Sequence, residues 1–200
     1  MERVDQATFL IDIIEESVTQ IEEESVMMWF MVNILEGLTF IHAHNIIHGD
    51  IKLDNLVGQS ELGSENPKIK ICDFGLSLVA DENGNAFIKE RMGTVCYIAP
   101  EVKKGATVNA KIDMWSLGIV FYKMCCAYRP DQVDNYKYGS GPIPFPEEDW
   151  GKRSPELKDL VARMLEFQPE NRISSLEALN HPWFVQDSSI DHFNKSNSNY

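Results

Sequence analysis

The sequence has 200 residues, of which 44% are hydrophobic and 10% aromatic, so it is long and apolar enough to build one sizeable core. Its 31 acidic and 18 basic residues give a formal net charge of −13. That charge disfavours nucleic acid as a partner of the whole chain, because phosphate binding needs a basic face. The composition therefore predicts one globular domain that does not bind nucleic acid.

Cysteine usage and hydropathy predict where the protein works. The cysteines form no C-x-x-C pair, and Cys125 and Cys126 are adjacent in an apolar run, so free thiols in a reducing compartment are expected. No apolar stretch is judged to reach the ~20 residues of a membrane span. Charged residues, rather than a signal sequence, follow Met1. We therefore expect an intracellular, cytoplasmic protein with no membrane partner, and leave a nuclear location open.

Two helices are predicted at the start of the chain. From residue 22 to residue 43, apolar residues recur at helical spacing in a wide stripe, which indicates a deeply buried helix. Acidic residues in its first turn suit the positive end of the helix dipole. A shorter helix is predicted before it, around residues 6–14.

Short strands and loops are predicted next. IIHGDIKLDNLVG predicts a loop running into a strand, and KIKICDFG predicts a strand running into another loop. Residues 59–67 are predicted to form the turn between the two strands. Residues 79–92 are polar and contain glycine, so they are predicted to be a mobile loop.

Helices dominate the C-terminal half. NAKIDMWSLGIVFYKMCCA is apolar nearly all round, which is typical of a helix at the centre of a domain. After an irregular stretch at 129–151, Ser154 as N-cap and Pro155 at the first helical position open another helix. A short capped helix in SSLEALNHPWF ends before Pro182. Residues 186–200 are predicted to be a polar, flexible tail. The predicted fold class is mainly α, with a few short strands.

The segment HGDIKLDN, followed by DFG at residues 73–75, carries the residue types that phosphoryl transfer needs. Such transfer requires an acidic group to orient the attacking hydroxyl, a cation beside the moving phosphoryl group, and oxygen ligands for magnesium. Asp50 suits the first role, Lys52 the second, and Asn55 with Asp73 the third. Each residue alone would be typical of a turn or a cap, so the prediction depends on the joint pattern.

The pattern continues in order with GTVCYIAPE, DMWSLG, PENR and HPWF. Together these segments resemble the larger, C-terminal lobe of a eukaryotic protein kinase, closest in look to the calcium/calmodulin-dependent group. Lys52 and Thr94 resemble the serine/threonine branch. The resemblance implies a helical C-terminal lobe over residues 1–185, which transfers phosphate from ATP with Mg²⁺ to protein substrates.

The resemblance also implies roles for single residues near the nucleotide. Val57 would lie under the adenine ring, and Asn55 and Asp73 would hold magnesium against the phosphates. Thr94 would support the two charged catalytic residues.

Further residues would hold this machinery in place. The resemblance implies that His48 and Phe74 stack, that Asp113 bonds the backbone of the catalytic loop (residues 48–55), and that Glu101 pairs with Arg172.

Three departures from the family pattern carry their own expectations. The sequence holds no G-x-G-x-x-G and no matching strand lysine, so the N-terminal lobe is expected to be absent and the isolated chain nearly inactive. A regulatory protein, or an N-terminal lobe supplied in trans, is then an expected partner. Gly49 replaces the arginine that usually reads a phosphate on the activation loop, so little dependence on phosphorylation of residues 79–94 is expected. Residues 128–150 are short, which leaves only a remnant of a docking helix, and Lys123 stands where relatives that select basic peptides often have an acidic residue.

One alternative interpretation stays open, and two others are disfavoured by the sequence. The chain is alternatively a catalytically inactive, truncated or pseudokinase-like interaction module. An unrelated small-molecule phosphotransferase is disfavoured by GTVCYIAPE, which shapes a peptide-binding ledge in the resembled family. A zinc site at His42, His44 and His48 is disfavoured because residues two apart on a helix do not share a face.

Overall fold

The structure, a computed structural model, describes residues 7–9, 24–59 and 68–185. Within these ranges the α-helices are α1 (Glu24–Ala43), α2 (Lys111–Cys126), α3 (Glu147–Trp150), α4 (Pro155–Met164) and α5 (Ser175–Leu179). The strands are β1 (Ala7–Phe9), β2 (Ile46–Ile47), β3 (Leu56–Gln59), β4 (Lys68–Ile71), β5 (Leu78–Val79), β6 (Asn85–Phe87) and β7 (Thr107–Asn109). The helix-rich fold with few short strands agrees with the predicted class. The predicted tail at 186–200 and most of the predicted turn at 59–67 lie outside the described residues.

Helix α1 packs against β4 on one side and α5 on another. Its buried residues follow the predicted helical stripe: Met27, Met28, Phe30, Met31, Ile34, Leu35, Leu38 and Ile41. By length and composition, α1 also satisfies a test for a membrane span, which corrects the prediction that no apolar stretch is that long. The core helix of a soluble domain satisfies the same test, and the buried stripe of α1 is used in packing within the domain.

The first sheet corrects the helix predicted around residues 6–14. Residues 7–9 form β1, which pairs antiparallel with β3, and β3 pairs antiparallel with β4. Val57 at the centre of this sheet stands opposite Phe9 on one side and Lys70 on the other. A β-branched residue and an aromatic one, Thr8 and Phe9, favour a strand once a partner edge is available. The rest of the predicted helix lies outside the described residues.

Residues 79–92 are more regular than the mobile loop that the sequence predicted. β5 pairs with β2, and β6 pairs with β7, both antiparallel. Past β6, the amide of Ile88 donates to the carbonyl of Ala106 at 2.9 Å, and Ile88 itself is fully buried. The polar composition of the segment predicted mobility, but isolated apolar residues such as Ala86 and Ile88 pack into the hydrophobic core and hold the segment in place.

Helix α2 runs through the centre of the domain, as predicted, and nearly all its residues are buried. It contacts α3 and α4. A Cβ atom at Gly118 would come within 2.8 Å of Leu165, so glycine lets the residue after α4 approach the axis of α2. The predicted cap of α4 is confirmed, because the Ser154 hydroxyl accepts a hydrogen bond from Leu157 N at 3.2 Å.

The predicted ion pair between Glu101 and Arg172 is confirmed. Both terminal nitrogens of Arg172 reach the Glu101 carboxylate, at 2.6 and 3.1 Å, and the guanidinium lies 5.0 Å from the centre of the Trp115 ring. Two-point contact of this kind fixes orientation as well as distance. The stretch predicted to be irregular holds a 3₁₀ turn (Pro130–Gln132) and the single-turn helix α3, so the loop between α2 and α3 has little regular structure.

Candidate active site

One buried carboxylate accepts hydrogen bonds from the backbone of the catalytic loop. Asp113, near the start of α2, accepts hydrogen bonds from the backbone amides of His48 and Gly49, both at 2.8 Å. Its Oδ2 also lies 2.9 Å from Nε2 of His42. Asp113 is 1% exposed. The predicted bond from Asp113 to the loop backbone is therefore confirmed, and it fixes the backbone directly before Asp50.

Asp50, Lys52 and Thr94 form a closed triangle of polar contacts. Asp50 Oδ1 accepts hydrogen bonds from both the amide and the hydroxyl of Thr94, each at 2.8 Å. Lys52 Nζ lies 3.2 Å from Asp50 Oδ2 and donates to Thr94 Oγ1 at 3.1 Å. Thr94 is 44 residues away along the chain, so this contact ties the catalytic loop to the segment after β6.

The surroundings keep Asp50 charged. Burial opposes ionisation of its carboxyl group, but the hydrogen bonds from Thr94 and Lys52 outweigh that effect, and the pKa is lowered from its ordinary value of 3.8. At neutral pH Asp50 is therefore an anion whose free lone pairs can accept a hydrogen bond from a hydroxyl group.

Asn55 and Asp73 are brought close by the β3–β4 hairpin. The Asn55 side chain donates to the backbone carbonyl of Asp50 at 2.8 Å, which anchors it to the catalytic loop. The amide of Cys72 donates to the backbone carbonyl of Asn55 at 2.9 Å. Asp73 is the next residue, so the structure brings Asp50, Asn55 and Asp73, which sequence reasoning assigned to one site, into the same region.

The donor groups of Asn55 and Asp73 fit a magnesium ion. The amide nitrogen of Asn55 is used by Asp50, which leaves its side-chain oxygen for another contact. Asp73 is exposed, and its Oδ1 accepts only a hydrogen bond from Gly75 N, at 3.2 Å, among the described residues. Carboxylate and amide oxygens are the ligands that Mg²⁺ prefers. Asp73 also has a φ of +61°, a left-handed conformation that is uncommon away from glycine.

Behind Asp73, the predicted stack of His48 on Phe74 is confirmed. The two ring centroids lie 4.9 Å apart in an edge-to-face arrangement. His48 Nε2 also lies 2.9 Å from the carbonyl oxygen of Cys72. His48 therefore joins the catalytic loop to the segment that carries Asp73.

Val57 has a different environment from the polar site residues. It is 5% exposed, yet it is not part of the main hydrophobic core. At this exposure the Val57 side chain offers almost no surface to a ligand in this structure.

Gly49 is required by its surroundings. Its φ is +79°, and a Cβ atom there would lie 2.4 Å from Met92 Cε and 2.9 Å from the backbone oxygen of Leu76. Met92 thus fills the space beside the catalytic loop, directly before Gly93 and Thr94. The same packing explains why the backbone at this position does not accept a side chain.

Sequence reasoning weighed His42 as a disfavoured zinc ligand and missed it as a support of the site. Its ring lies between Asp113 Oδ2, at 2.9 Å from Nε2, and Ser175 Oγ, at 3.1 Å from Nδ1. His44 instead contacts the carbonyl of Phe40 at 2.8 Å, so the histidines near the catalytic loop have separate partners. The one available signal was a histidine in the last turn of α1, a short distance before the catalytic loop in the sequence.

A polar cavity of about 370 Å³ lies elsewhere, lined by residues such as Lys111, Arg163 and His181. It contains none of the six predicted site residues.

A comparison with known families decides the identity. A family model described as the protein kinase domain matches residues 1–184. The chain belongs to the protein kinase domain family. The matched range includes residues 48–55, Asp73, Glu101 and Arg172. Kinases of this family transfer a phosphoryl group from ATP, with Mg²⁺, to proteins.

Proposed function

We propose that this protein is a serine/threonine kinase and that Asp50, Lys52 and Thr94 are its catalytic group. The observation that carries the proposal is the triangle in which Asp50 accepts two hydrogen bonds from Thr94 while Lys52 bridges both. Such an arrangement leaves one carboxylate with an ammonium beside it, which suits a hydroxyl attacking an anionic phosphoryl group. The likeness of Lys52 and Thr94 to the serine/threonine branch supports the choice of acceptor.

Asp50 orients the substrate hydroxyl by accepting its hydrogen bond. Because the pKa of Asp50 is lowered, this carboxylate is a weak base, and it receives the proton only as the bond from oxygen to phosphorus forms. Lys52, 3.2 Å from Asp50, provides positive charge next to the transferred group. Thr94 fixes the carboxylate so that little rearrangement is needed during the reaction.

Asn55 and Asp73 are the residues that would hold magnesium, which supplies charge neutralisation on the phosphates when it is bound with ATP. Val57 is the proposed contact of the adenine ring. We further propose that residues 1–185 correspond to the C-terminal lobe and that the calcium/calmodulin-dependent group is the nearest in type.

Phosphate transfer to a mixture of protein substrates tests the proposal. The protein is purified as its gene encodes it and incubated with ATP and Mg²⁺, and the modified amino acids are identified after hydrolysis. We expect phosphoserine and phosphothreonine, and we expect Asp50→Asn to remove at least ~99% of the transfer. Asp54→Asn, at an exposed carboxylate on the same loop, is the matched control and should retain activity. Phosphotyrosine alone would overturn the serine/threonine assignment.

Activation without loop phosphorylation is part of the same proposal. Residues 78–92 contain no Ser, Thr or Tyr, and Gly49 offers no cation to a phosphate. The strand pairs β2–β5 and β6–β7 hold this segment instead. Treatment with a phosphatase should therefore leave activity unchanged, and a large loss would contradict this part.

A non-catalytic interaction module is the second candidate, and the burial of Val57 is the observation that favours it. Ligand binding raises the melting temperature of a protein that binds only when folded. If the chain binds nucleotide, ATP with Mg²⁺ should raise the melting temperature, and Asp73→Asn should reduce the rise. No rise at millimolar nucleotide would favour the interaction module.

A further inference from the structure

A chain of side-chain hydrogen bonds leads from α5 to the catalytic loop. Ser175 Oγ, at the first residue of α5, lies 3.1 Å from His42 Nδ1, and His42 Nε2 lies 2.9 Å from Asp113 Oδ2. Asp113 in turn accepts the two backbone amides directly before Asp50, each at 2.8 Å. A hydroxyl group on α5 is therefore connected to the backbone of the catalytic loop through two side chains.

The carboxylate at the end of this chain sets the direction of each hydrogen bond. A carboxylate has only acceptor oxygens, so the proton between His42 and Asp113 is carried by Nε2. A neutral imidazole carries one proton, which leaves Nδ1 as an acceptor, and the Ser175 hydroxyl is then its donor. Ser175 thus satisfies the ring nitrogen that Asp113 does not use.

The two contacts together permit only one orientation of the His42 ring. A half turn about its Cβ–Cγ bond would put carbon atoms at the positions of both nitrogens, so the hydrogen bonds to Asp113 and Ser175 would be lost together. The His42 side chain is 10% exposed and Ser175 is 4% exposed, so water has little access to replace either partner. Without the Ser175 hydroxyl, Nδ1 would lack a partner and the ring would be free to turn.

Ser175 is itself held in place by a cap that belongs to its neighbour. The Ser174 hydroxyl accepts a hydrogen bond from Glu177 N at 3.3 Å, and the Glu177 carboxylate accepts one from Ser174 N at 2.8 Å. This capping box fixes the first turn of α5. Within the described ranges, the side chain of Ser175 makes its hydrogen bond to His42. Two adjacent serines therefore divide two tasks, since Ser174 caps the helix and Ser175 contacts the ring.

We propose that Ser175 is a positioning residue for the reaction at Asp50. Its hydroxyl holds the His42 ring in the orientation that donates to Asp113, and Asp113 fixes the backbone directly before Asp50. The inference rests on the proposed kinase function and adds a residue of α5 to the groups that set its rate. Ser175 acts through two other side chains and has no contact of its own with Asp50.

The two adjacent serines provide matched variants of the protein as its gene encodes it. Ser175→Ala should lower kcat about three- to ten-fold, while KM for ATP and for a protein substrate stays within about two-fold, because the loop is displaced but no binding contact is removed. Ser174→Ala removes the cap of α5, so it should lower the melting temperature but keep kcat within about two-fold. Equal losses of kcat would attribute the effect to a loosened α5 and overturn the inference.

A double-mutant cycle tests the route through His42. His42→Leu keeps a side chain of similar size but has no ring nitrogen. If Ser175 acts through His42, Ser175→Ala should lower kcat in the wild-type background and have no further effect in the His42→Leu background. A full additional loss in that background would overturn the proposed route. Melting temperatures show that each variant is folded at the assay temperature.

Nitrogen NMR observes the ring directly and does not depend on activity. The wild type should show His42 with a protonated Nε2 and a hydrogen-bonded, unprotonated Nδ1. Ser175→Ala should shift the Nδ1 resonance towards that of a free ring nitrogen and speed the exchange of the Nε2 proton with water. It should also shift the backbone amide resonance of Gly49. Ser174→Ala should leave all three signals unchanged, and a doubly protonated ring in the wild type would overturn the inference.

The outcomes separate this inference from the kinase proposal. Ring and amide signals that do not respond to Ser175→Ala overturn the inference, even where activity falls. Signals that respond while kcat stays at the wild-type value overturn the positioning role in an active kinase. If the wild type transfers no phosphate to any protein, the proposed function fails, and the NMR signals alone decide whether Ser175 positions the catalytic loop through His42.

Discussion

Two carboxylates, one at the start of α1 and one in contact with its last turn, each accept three hydrogen bonds. Asp113 accepts two backbone amides of the catalytic loop and faces His42. Glu24, at the start of α1, accepts Ser154 N and Oγ at 2.6 Å each and Trp183 Nε1 at 2.9 Å. The first is almost completely buried, whereas the second is only partly covered.

We call Asp113 and Glu24, with their hydrogen-bond partners, the Asp113 anchor and the Glu24 anchor. The first supports function as well as the fold, whereas the second supports stability alone. Asp113 fixes the loop that carries Asp50, so its loss should disturb the site as well as the fold. Glu24 joins α1 to the N-terminus of α4 and to Trp183, and none of these contacts touches the catalytic loop. Its loss should lower stability and leave the chemistry intact. The experiments below test this division.

Asp113→Ala should have the largest effect. It leaves the buried amide of His48 and the partly buried amide of Gly49 without acceptors, so we expect a loss of about 3–5 kcal/mol in the free energy of unfolding and loss of activity. Urea titration measures the first and phosphate transfer the second. Asp81→Ala is the matched control, because Asp81 also accepts two backbone amides, at 2.9 Å each, but in an exposed turn. Equal losses in both variants would contradict the importance of burial.

Gly49→Ala should disturb the Asp113 anchor because the added methyl group clashes with its neighbours. Its φ of +79° and the contacts of a Cβ with Met92 and Leu76 together predict a loss of about 2–4 kcal/mol. Gly84→Ala has a similar φ, +76°, with no atom within 4 Å of its Cβ, and should cost about 1 kcal/mol. Urea unfolding of the pair isolates the steric part. Identical losses would show that Met92 simply moves away.

Glu24→Gln should lower the free energy of unfolding by about 1–2 kcal/mol, because the hydrogen bonds of the Glu24 anchor would then go to a neutral acceptor instead of a charged one. Nucleotide binding and peptide turnover should stay at wild-type levels. Glu36→Gln, an exposed residue on the same helix, is the control and should be neutral in both assays. A drop in turnover with Glu24→Gln would contradict the conclusion that Glu24 supports stability alone.

Acid sensitivity should show the smallest difference. Burial opposes ionisation of Glu24, but the hydrogen bonds from Ser154 and Trp183 outweigh it, and its pKa is lowered from 4.5. A lowered pKa contributes stability that is fully present above the ordinary value and is lost as the pH falls through the folded one. Between pH 7 and pH 3, Glu24→Gln should therefore lose less stability than wild type. Parallel curves for the two proteins would contradict this assignment.

Local patterns predicted much of the fold and the site. The stripe of α1, the apolar sequence of α2 and the Ser154 cap each depend on neighbours within a few residues, and all three are confirmed. The convergence of Asp50 and Asn55 was also accessible, because both lie on one short loop.

Contacts between distant segments were harder to predict. β1 was predicted as part of a helix because its pairing with β3 lies some 50 positions ahead in the chain. His42 and Glu24 have no local signal for their partners, Asp113 and Ser154, which tertiary packing alone brings near. Thr94 was found only through the family resemblance, since a single threonine 44 residues from Asp50 carries no pattern of its own.

Arg172 also bears on the order in which the domain assembles during synthesis. It binds Glu101, the carbonyl of Lys111 and the carbonyl of Glu166, yet it emerges from the ribosome after all of them. Until then the Glu101 carboxylate has no guanidinium partner and the Trp115 ring lacks its stacked cation. A purified chain that ends at residue 171 should therefore be cut by protease near Glu101, whereas the full-length chain should resist the same treatment.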